Sequence, residues 1–237
     1  MRRAVTLFLC ALALLVAAGL VLVYSASSTV YAGQPNFFVI RQGLSLALSL
    51  GVGALVARID YHFWSRPGSV VLVAVLMLAG TCAVFFFPPV NGSHRWIDLG
   101  FYRLQPSEFA KIGILVVLAT WFDRVGPRSS SFLRGFLFPG LILAGLTAPI
   151  LLAPDLGSTL VIAVIAATVF LAAGTRLIYL LSAVPLAVAG MALFLANDPH
   201  RLARVKVFVD GLLGRGGERA HQTVQSLNAF VIGGPLG

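Results

Sequence analysis

The chain has 237 residues, of which 59% are hydrophobic and only 11% are charged. Soluble domains do not have this composition, whereas membrane proteins with several spans do. The net charge of +9 does not indicate a nucleic-acid partner, because the basic residues lie between apolar runs and do not cluster on a soluble surface. Anionic lipid headgroups or an anionic lipid-linked substrate fit better. Cys10 and Cys82 both fall inside apolar runs, so neither a disulfide framework nor a metal site is expected.

Apolar runs of membrane-spanning length follow one another along the chain and predict an all-α, polytopic transmembrane helix bundle. We expect a single integral membrane domain over residues 1–237. The seven predicted spans are about 4–23, 37–57, 69–87, 108–122, 136–153, 156–173 and 177–196. The first run is longer than the core of a signal peptide, so it is interpreted as a retained helix, followed by a polar connector from Ser25 to Asn36.

The distribution of basic residues in the short loops predicts the orientation. With the N-terminus inside, the inner loops hold eight arginines and the outer loops hold three. The inner eight are Arg2, Arg3, Arg58, Arg66, Arg124, Arg128, Arg134 and Arg176, and the outer three are Arg41, Arg95 and Arg103. The N-terminus is therefore predicted to be cytoplasmic, with the segments 91–107 and 197–237 on the outer face.

The stretch from Asn91 to Lys111 carries ionisable residues between two apolar spans. Pro106 is predicted to begin a helix, because its fixed φ suits the first helical position. Glu108 and Lys111 are three residues apart and share one face of that helix, so an ion pair is expected at its mouth. Such a pair at a membrane surface is a functional candidate, with a purely structural ion pair as the alternative.

Two further segments carry candidate residues. Asp155 precedes an apolar run and has Ser158 three positions on, a pattern typical of a helix N-cap. After residue 196 the chain turns polar and basic, against the charge rule for an outer loop. That segment is either an interfacial helix or a cationic floor for an anionic headgroup such as a pyrophosphate, and the sequence leaves both open.

Four motifs in this order resemble the SEDS family, which contains the FtsW, RodA and SpoVE proteins. They read GSHRWIDLG with QPSEFAK, then APDLGSTL, then RVKVFVDG, then HQTVQSLNAFVIGG. The resemblance implies a peptidoglycan glycosyltransferase that polymerises lipid II at the outer face of the bacterial cytoplasmic membrane. It also implies a class B penicillin-binding transpeptidase and other divisome proteins as partners. Arg103 and the segment Gln225–Ser226–Leu227 are more similar to the division type, FtsW, than to the elongation type.

The resemblance also implies roles for single residues. The candidate catalytic residues are Arg103, Glu108 and Lys111, and the candidate substrate-binding residues are Arg95, Asp155, Arg201, Arg204, Lys206, Gln225 and Ser226. No cofactor is evident, and a need for a divalent cation stays open.

The chain departs from the family pattern in two places. Gly211 stands where the family has proline. Family members also have further spans, and the aspartate regarded as their catalytic base would lie beyond Gly237. The 237 residues alone are therefore expected to bind lipid-linked pyrophosphate weakly and to catalyse nothing. The alternative functions are a lipid II flippase and a scaffold that recruits a transpeptidase without doing chemistry.

Overall fold

The computed structural model describes residues 2–30, 36–90, 93–100, 102–153 and 155–196, and beyond these residues 202–203, 206, 209–210, 225, 228–229 and 231–233. Contacts divide the chain into two compact units, Met1–Ser69 and Val70–Gly237. Each unit is described separately.

The first unit is a pair of long apolar helices followed by a short one. Its helices are α1 (Arg2–Val30), α2 (Asn36–Ala57) and α3 (Tyr61–Ser65). A cleft of about 300 Å³ lies between α1 and α2, lined mainly by leucine and valine and by the single amide of Gln42. α3 begins at a side-chain cap, because Asp60 Oδ1 accepts from the backbone N–H of His62 at 2.9 Å.

The predicted connector from Ser25 to Asn36 is wrong in its first half. α1 continues through Ser25, Ala26 and Ser27 and ends at Val30. Ser27 Oγ donates to the carbonyl of Tyr24 at 3.1 Å, so its hydroxyl is satisfied by the helix itself. A fall in hydropathy is therefore not a helix end when the polar residues are small and bond back to their own turn.

Within the described part of residues 67–196, the chain forms five α-helices and a small hairpin. The elements are α4 (Pro67–Ala83, beginning at the unit boundary), a 3-10 turn (Val84–Phe86), β1 (Ile97–Asp98), β2 (Arg103–Leu104), α5 (Pro106–Val125), a 3-10 turn (Gly126–Ser130), a π-helical turn (Leu133–Leu137), α6 (Phe138–Leu152), α7 (Leu156–Ala172) and α8 (Leu177–Ala196). β1 and β2 pair antiparallel with Asp98 opposite Arg103. The hairpin lies in the stretch from Asn91 to Lys111, of which the sequence predicts only the helix that begins at Pro106.

The core of the second unit lies between α5, α6 and α7. One face of α5 is buried at intervals of four residues, a spacing that keeps side chains on one side of a helix. The buried apolar residues are Met77 of α4, Ala110, Ile114, Leu118 and Phe122 of α5, Ile150 of α6, and Ile162, Ala166 and Phe170 of α7. Since lipid tails are as apolar as these side chains, close packing is what favours helix association in a membrane.

Among the residues that the structure describes, four helices are long and apolar enough to cross a membrane: Arg3–Ser27, Phe37–Ala57, Pro67–Phe86 and Leu133–Leu152. Leu156–Ala172 and Leu177–Leu193 are shorter apolar helices. α5 is not among the four, and its 20 residues include Glu108, Lys111, Asp123 and Arg124. The all-α membrane bundle is confirmed, while the count of seven spans stays a prediction.

A tight backbone crossing lies at the end of the second unit where α5 ends and α6 begins. A Cβ built on Gly135 would overlap the backbone carbonyl of Ser129. Thr175 Oγ1 donates to the carbonyl of Gly135 at 2.9 Å and thereby satisfies a group in the π-helical turn. The crossing therefore requires glycine at position 135.

We expect Gly135→Ala to lower the free energy of unfolding by about 2–3 kcal/mol, because the backbone of Ser129 has to move. Gly140→Ala is the matched control, since a Cβ there meets nothing within 4 Å and alanine is favoured in a helix. Thermal unfolding in detergent measures both variants. Equal melting temperatures for the two variants would contradict the requirement for glycine at position 135.

Candidate functional site

Asp155 is the centre of a buried polar cluster where α5 and α7 begin. Asp155 is 4% exposed. Its Oδ2 accepts from Ser107 Oγ at 3.0 Å and from Gln105 Nε2 at 3.1 Å. Oδ1 accepts from the backbone N–H of Ser158 at 3.3 Å, which confirms the predicted N-cap of α7. Ser107 and Ser158 hydroxyls are also 3.2 Å apart. This group, with Arg95, is called the Asp155 cluster below.

Arg95 connects the loop before the hairpin to the cluster. Its Nη1 lies 3.9 Å from Asp155 Oδ1, and its Nε donates to Ser93 Oγ at 2.7 Å. Ser93 Oγ in turn donates to the carbonyl of Ala153 at the end of α6, also at 2.7 Å. One side of the guanidinium is therefore anchored, while a third of the side chain stays exposed. The arginine is oriented but still reachable from outside the cluster.

The pKa of Asp155 is lowered in the folded chain. Burial raises it, but hydrogen bonds from Ser158 and Ser107 and the charge of Arg95 lower it by more, so the net pKa lies below the ordinary value. The carboxylate therefore stabilises the fold at pH values above the unfolded pKa of about 3.9. This stabilisation is lost as the pH falls through the lower folded value.

We expect the melting temperature of the wild-type chain to fall more steeply between about pH 5 and about pH 3 than that of Asp155→Asn. The asparagine does not titrate, so this component of the acid sensitivity is removed. Thermal unfolding over a pH series measures the difference. Parallel curves would mean that the charge of Asp155 does not stabilise the fold.

The hairpin presents Arg103 beside the start of α5. Arg103 Nε donates to Asp98 Oδ2 at 3.1 Å across the two strands. Asp98 Oδ1 accepts from the N–H of Gly100 at 2.8 Å, and Gly100 has φ of +80°, a conformation that favours glycine. Asp98 thus shapes the turn and holds Arg103, whose side chain remains 55% exposed.

The predicted ion pair of Glu108 and Lys111 is confirmed. Lys111 Nζ donates to Glu108 Oε1 at 2.8 Å, in the first turns of α5. The carboxylate side chain is 56% exposed and the lysine side chain 22%. An exposed pair of this kind contributes about 0–1 kcal/mol to stability, so both groups are held near the surface at little energetic cost to the fold.

The crevice next to the Asp155 cluster is small. Its lining includes His94, Arg95, Pro106, Ser107 and Asp155, and it has about 10 Å³ of free space, room for about one water molecule. A sugar or a pyrophosphate does not fit inside it. Any large ligand at this end of the unit would therefore contact groups outside the cluster, such as the exposed Arg103 and the partly exposed Lys111.

Comparison with protein families assigns the chain to a family. The family model FTSW_RODA_SPOVE, described as a cell cycle protein, matches residues 5–237. The chain belongs to this family. The match confirms the resemblance to SEDS proteins that the four motifs indicate.

Curated relatives carry the name of the division-type member. "Probable peptidoglycan glycosyltransferase FtsW" of Aliivibrio salmonicida (strain LFI1238) is 34% identical over 223 residues, which cover 92% of this chain and 55% of the relative. The FtsW protein of the same description from Coxiella burnetii (strain RSA 493 / Nine Mile phase I) is 34% identical over 233 residues, covering 97% of this chain and 62% of the relative. The chain thus spans little more than half the length of the curated relatives it matches.

A solved structure shares the fold of this FtsW/RodA/SpoVE family member. Its description concerns structural coordination of polymerization and crosslinking by a peptidoglycan synthase complex. The superposition has a TM-score of 0.65 with 24% identity, and covers 84% of this chain and 58% of the other. At this identity the likeness supports the helix bundle and nothing finer.

The residues implied by the resemblance divide into two groups in this family member. Arg95, Arg103, Glu108, Lys111 and Asp155 all lie at the end of the second unit where α5 and α7 begin. Lys206 and Gln225 are exposed residues on helical backbone, and their roles stay predictions. Arg201, Arg204 and Ser226 lie outside the described residues, so their roles stay predictions.

The sequence did not indicate that Ser93, Gln105 and Ser107 contact Arg95 or Asp155. Gln105 and Ser107 flank Pro106 and read as helix-start residues, and Ser93 reads as turn chemistry. Their partners are 48 to 60 positions away along the chain, beyond any local pattern. The one sequence feature that could have indicated these contacts is the presence of polar side chains just before and at the start of an apolar helix. Among the described residues, no group of three or more His, Cys, Asp or Glu could hold a metal ion.

Proposed function

We propose that the protein is a peptidoglycan glycosyltransferase that polymerises lipid II at the outer face of the cytoplasmic membrane during cell division. The proposal rests on family membership, and on the names of the curated FtsW relatives. Its partners are then lipid II, a class B penicillin-binding transpeptidase and other divisome proteins. The description of the structural neighbour as a peptidoglycan synthase complex supports a transpeptidase partner.

The structural observation that supports the proposal is the set of cations at the end of the second unit where α5 begins. Arg95 is anchored by Ser93, Arg103 is held by Asp98, and Lys111 is held by Glu108. Chain extension displaces a lipid-linked pyrophosphate from a sugar, so negative charge develops on the leaving phosphate. Preorganised cations stabilise such charge, because their orientation is fixed before the reaction. Charge-assisted hydrogen bonds to phosphate are among the strongest available.

Asp155 contributes to this site through its neighbours. Both of its carboxylate oxygens accept hydrogen bonds within the cluster, and it is buried beside a crevice that admits about one water molecule. We propose that it orients Arg95 and fixes the start of α5, and so supports substrate binding without contacting the sugar.

The general base for the attacking hydroxyl is a separate requirement. Asp155 has a lowered pKa and no access for a sugar hydroxyl, and Glu108 already accepts from Lys111. Neither is suited to take a proton from the substrate. We propose that the base is the family's aspartate in the large outer loop, in agreement with the resemblance.

The topology proposed with this function has seven spans and a cytoplasmic N-terminus, at the inner membrane of a bacterium. Single-cysteine labelling tests it in a background lacking Cys10 and Cys82. Leu99→Cys is preferable to a cysteine at Ser93, because Leu99 is exposed in the hairpin and Ser93 is buried. We expect an impermeant reagent to label Leu99→Cys in intact cells and exposed Ser130→Cys only after permeabilisation. The reverse result would overturn the orientation.

Reconstitution separates the proposed activity from its alternatives. The product of the complete coding sequence is purified, mixed with labelled lipid II, and analysed for glycan strands by gel electrophoresis. Strand formation supports the glycosyltransferase. Transfer of lipid II between leaflets without strands would identify a flippase instead, and copurification of a transpeptidase with neither activity would identify a scaffold.

A further inference from the structure

Three arginines lie together at the end of the second unit opposite the Asp155 cluster. Arg128 is in the 3-10 turn after α5, Arg134 is in the π-helical turn, and Arg176 directly precedes α8. All three are exposed. α5 has 20 residues and is thus about 30 Å long, the thickness of the hydrocarbon core of a bilayer. In the proposed seven-span topology α5 crosses the bilayer, which places the three arginines at the membrane–water boundary farther from the Asp155 cluster.

Hydrogen bonds from side chains of nearby residues hold the backbone around these arginines in place. The carbonyl of Arg128 accepts from Ser131 Oγ at 2.7 Å, and Ser131 Oγ accepts from the N–H of Arg134 at 3.3 Å. The carbonyl of Arg134 accepts from Trp121 Nε1 at 3.0 Å. Gly135 then connects this turn to Thr175 at 2.9 Å, one residue before Arg176. The backbone positions from which the three arginine side chains extend are therefore set by the fold.

The charge at this boundary is strongly positive. Residues 121–180 contain two carboxylates, Asp123 and Asp155, and Asp155 lies at the opposite end of α7. Asp123 is adjacent to Arg124, so that neighbouring pair has no net charge. In the described part of the chain, no ion pair includes Arg128, Arg134 or Arg176. An anionic group is the complement of this surface.

The neighbours of the arginines indicate which anionic group. Large apolar residues adjoin them in the chain and are exposed, including Phe132, Leu133, Leu177 and Ile178. Trp121 and Tyr179 add amphipathic rings of the kind enriched at membrane interfaces. A soluble acidic protein would contact the charges alone, whereas a phospholipid places acyl chains on the apolar residues and its phosphate at the arginines.

We propose that Arg128, Arg134 and Arg176 bind the phosphate headgroup of an anionic membrane phospholipid. Guanidinium groups bind phosphate in a bidentate manner, and basic pockets between membrane helices bind such headgroups. The site is separate from the proposed glycosyltransferase chemistry and does not depend on it.

Lipid titration of the purified full-length protein in detergent micelles tests the proposal, with native mass spectrometry as the readout. The probes are phosphatidylglycerol, cardiolipin and, as the zwitterionic comparison, phosphatidylcholine. We expect the combined variant Arg128→Gln, Arg134→Gln and Arg176→Gln to lose roughly 100-fold in affinity for the anionic lipids, since each arginine contributes about a factor of five. Binding of phosphatidylcholine stays unchanged.

A matched control removes three charges from the first unit: Arg3→Gln, Arg58→Gln and Arg66→Gln. All three positions are exposed, and we expect less than about a fivefold loss, the contribution of a single charge. Equal losses of lipid affinity in the two variants would mean that net charge alone explains the loss, and would overturn the proposed binding site. Unchanged lipid binding by the Arg128, Arg134 and Arg176 variant would also overturn it, and would leave the surface for an acidic protein partner. Matching melting temperatures exclude misfolding as the cause.

Replacement of the same three arginines by lysine distinguishes bidentate phosphate contacts from charge alone. Lysine keeps the charge but not the planar pair of donors. We expect roughly a tenfold loss of affinity for cardiolipin, consistent with the loss of one to two charge-assisted hydrogen bonds. Wild-type affinity in the lysine variant would overturn a fixed headgroup site.

Discussion

Replacing Lys111 by methionine is expected to lower the rate of lipid II polymerisation by at least about 100-fold in the full-length protein. Loss of one preorganised donor to developing negative charge has an effect of this size. The stability of the protein should change little, because Lys111 and Glu108 form a partly exposed pair whose contribution is about 0–1 kcal/mol. A gel assay with labelled lipid II and a thermal unfolding curve measure the two quantities.

The reversed pair, Glu108→Lys with Lys111→Glu, is the control for this prediction. It preserves an ion pair at the same two positions and therefore keeps any structural role. We expect it to unfold like the wild type and to remain inactive, because the cation no longer occupies position 111. Wild-type turnover by Lys111→Met would leave the pair with a structural role only.

Asp155→Ala is expected to lower the free energy of unfolding by about 3 kcal/mol. The substitution removes the acceptor for Ser107, Gln105 and the N–H of Ser158, and each buried donor left without a partner costs about 1 kcal/mol or more. The bond from the Ser158 N–H is the N-cap of α7, so the cost of losing the cap, about 1 kcal/mol, is one of these three contributions. Thermal or denaturant unfolding in detergent measures the change.

Two variants make the Asp155 prediction specific. Asp155→Asn should cost less, about 1–2 kcal/mol, because asparagine is also a good N-cap but does not attract Arg95. Asp123→Ala removes an exposed carboxylate near the end of α5 and should change stability by less than about 0.5 kcal/mol. Similar losses in all three variants would show that the cluster contributes nothing beyond an ordinary surface carboxylate.

The helices could be predicted from the sequence because each is an apolar run with clear limits. α2 begins one residue from its predicted start, α7 ends one residue from its predicted end, and α8 matches at both ends. Hydropathy is a local property, so it locates such segments well. It fails at α1, whose last turns are small polar residues that bond to their own helix.

The candidate site could be predicted only where its contacts are local. The ion pair of Glu108 and Lys111 joins neighbours on one helix face, and the N-cap of α7 joins Asp155 to a residue three positions on. The contacts of Asp155 with Ser107 and Gln105 cross about 50 positions. They exist because α5 and α7 pack side by side, and no local pattern encodes that packing.

Photocrosslinking tests the central claim, that lipid II binds at the end of the second unit where α5 begins. A photoreactive benzoylphenylalanine replaces Tyr102, which is exposed in the hairpin beside Arg103, or Ser130, which is exposed at the opposite end. Labelled lipid II is added to the full-length protein and the mixture is irradiated, with and without an excess of unlabelled lipid II as competitor. We expect a competed crosslink at position 102 and none at position 130. A crosslink at position 130, or none at position 102, would contradict the central claim.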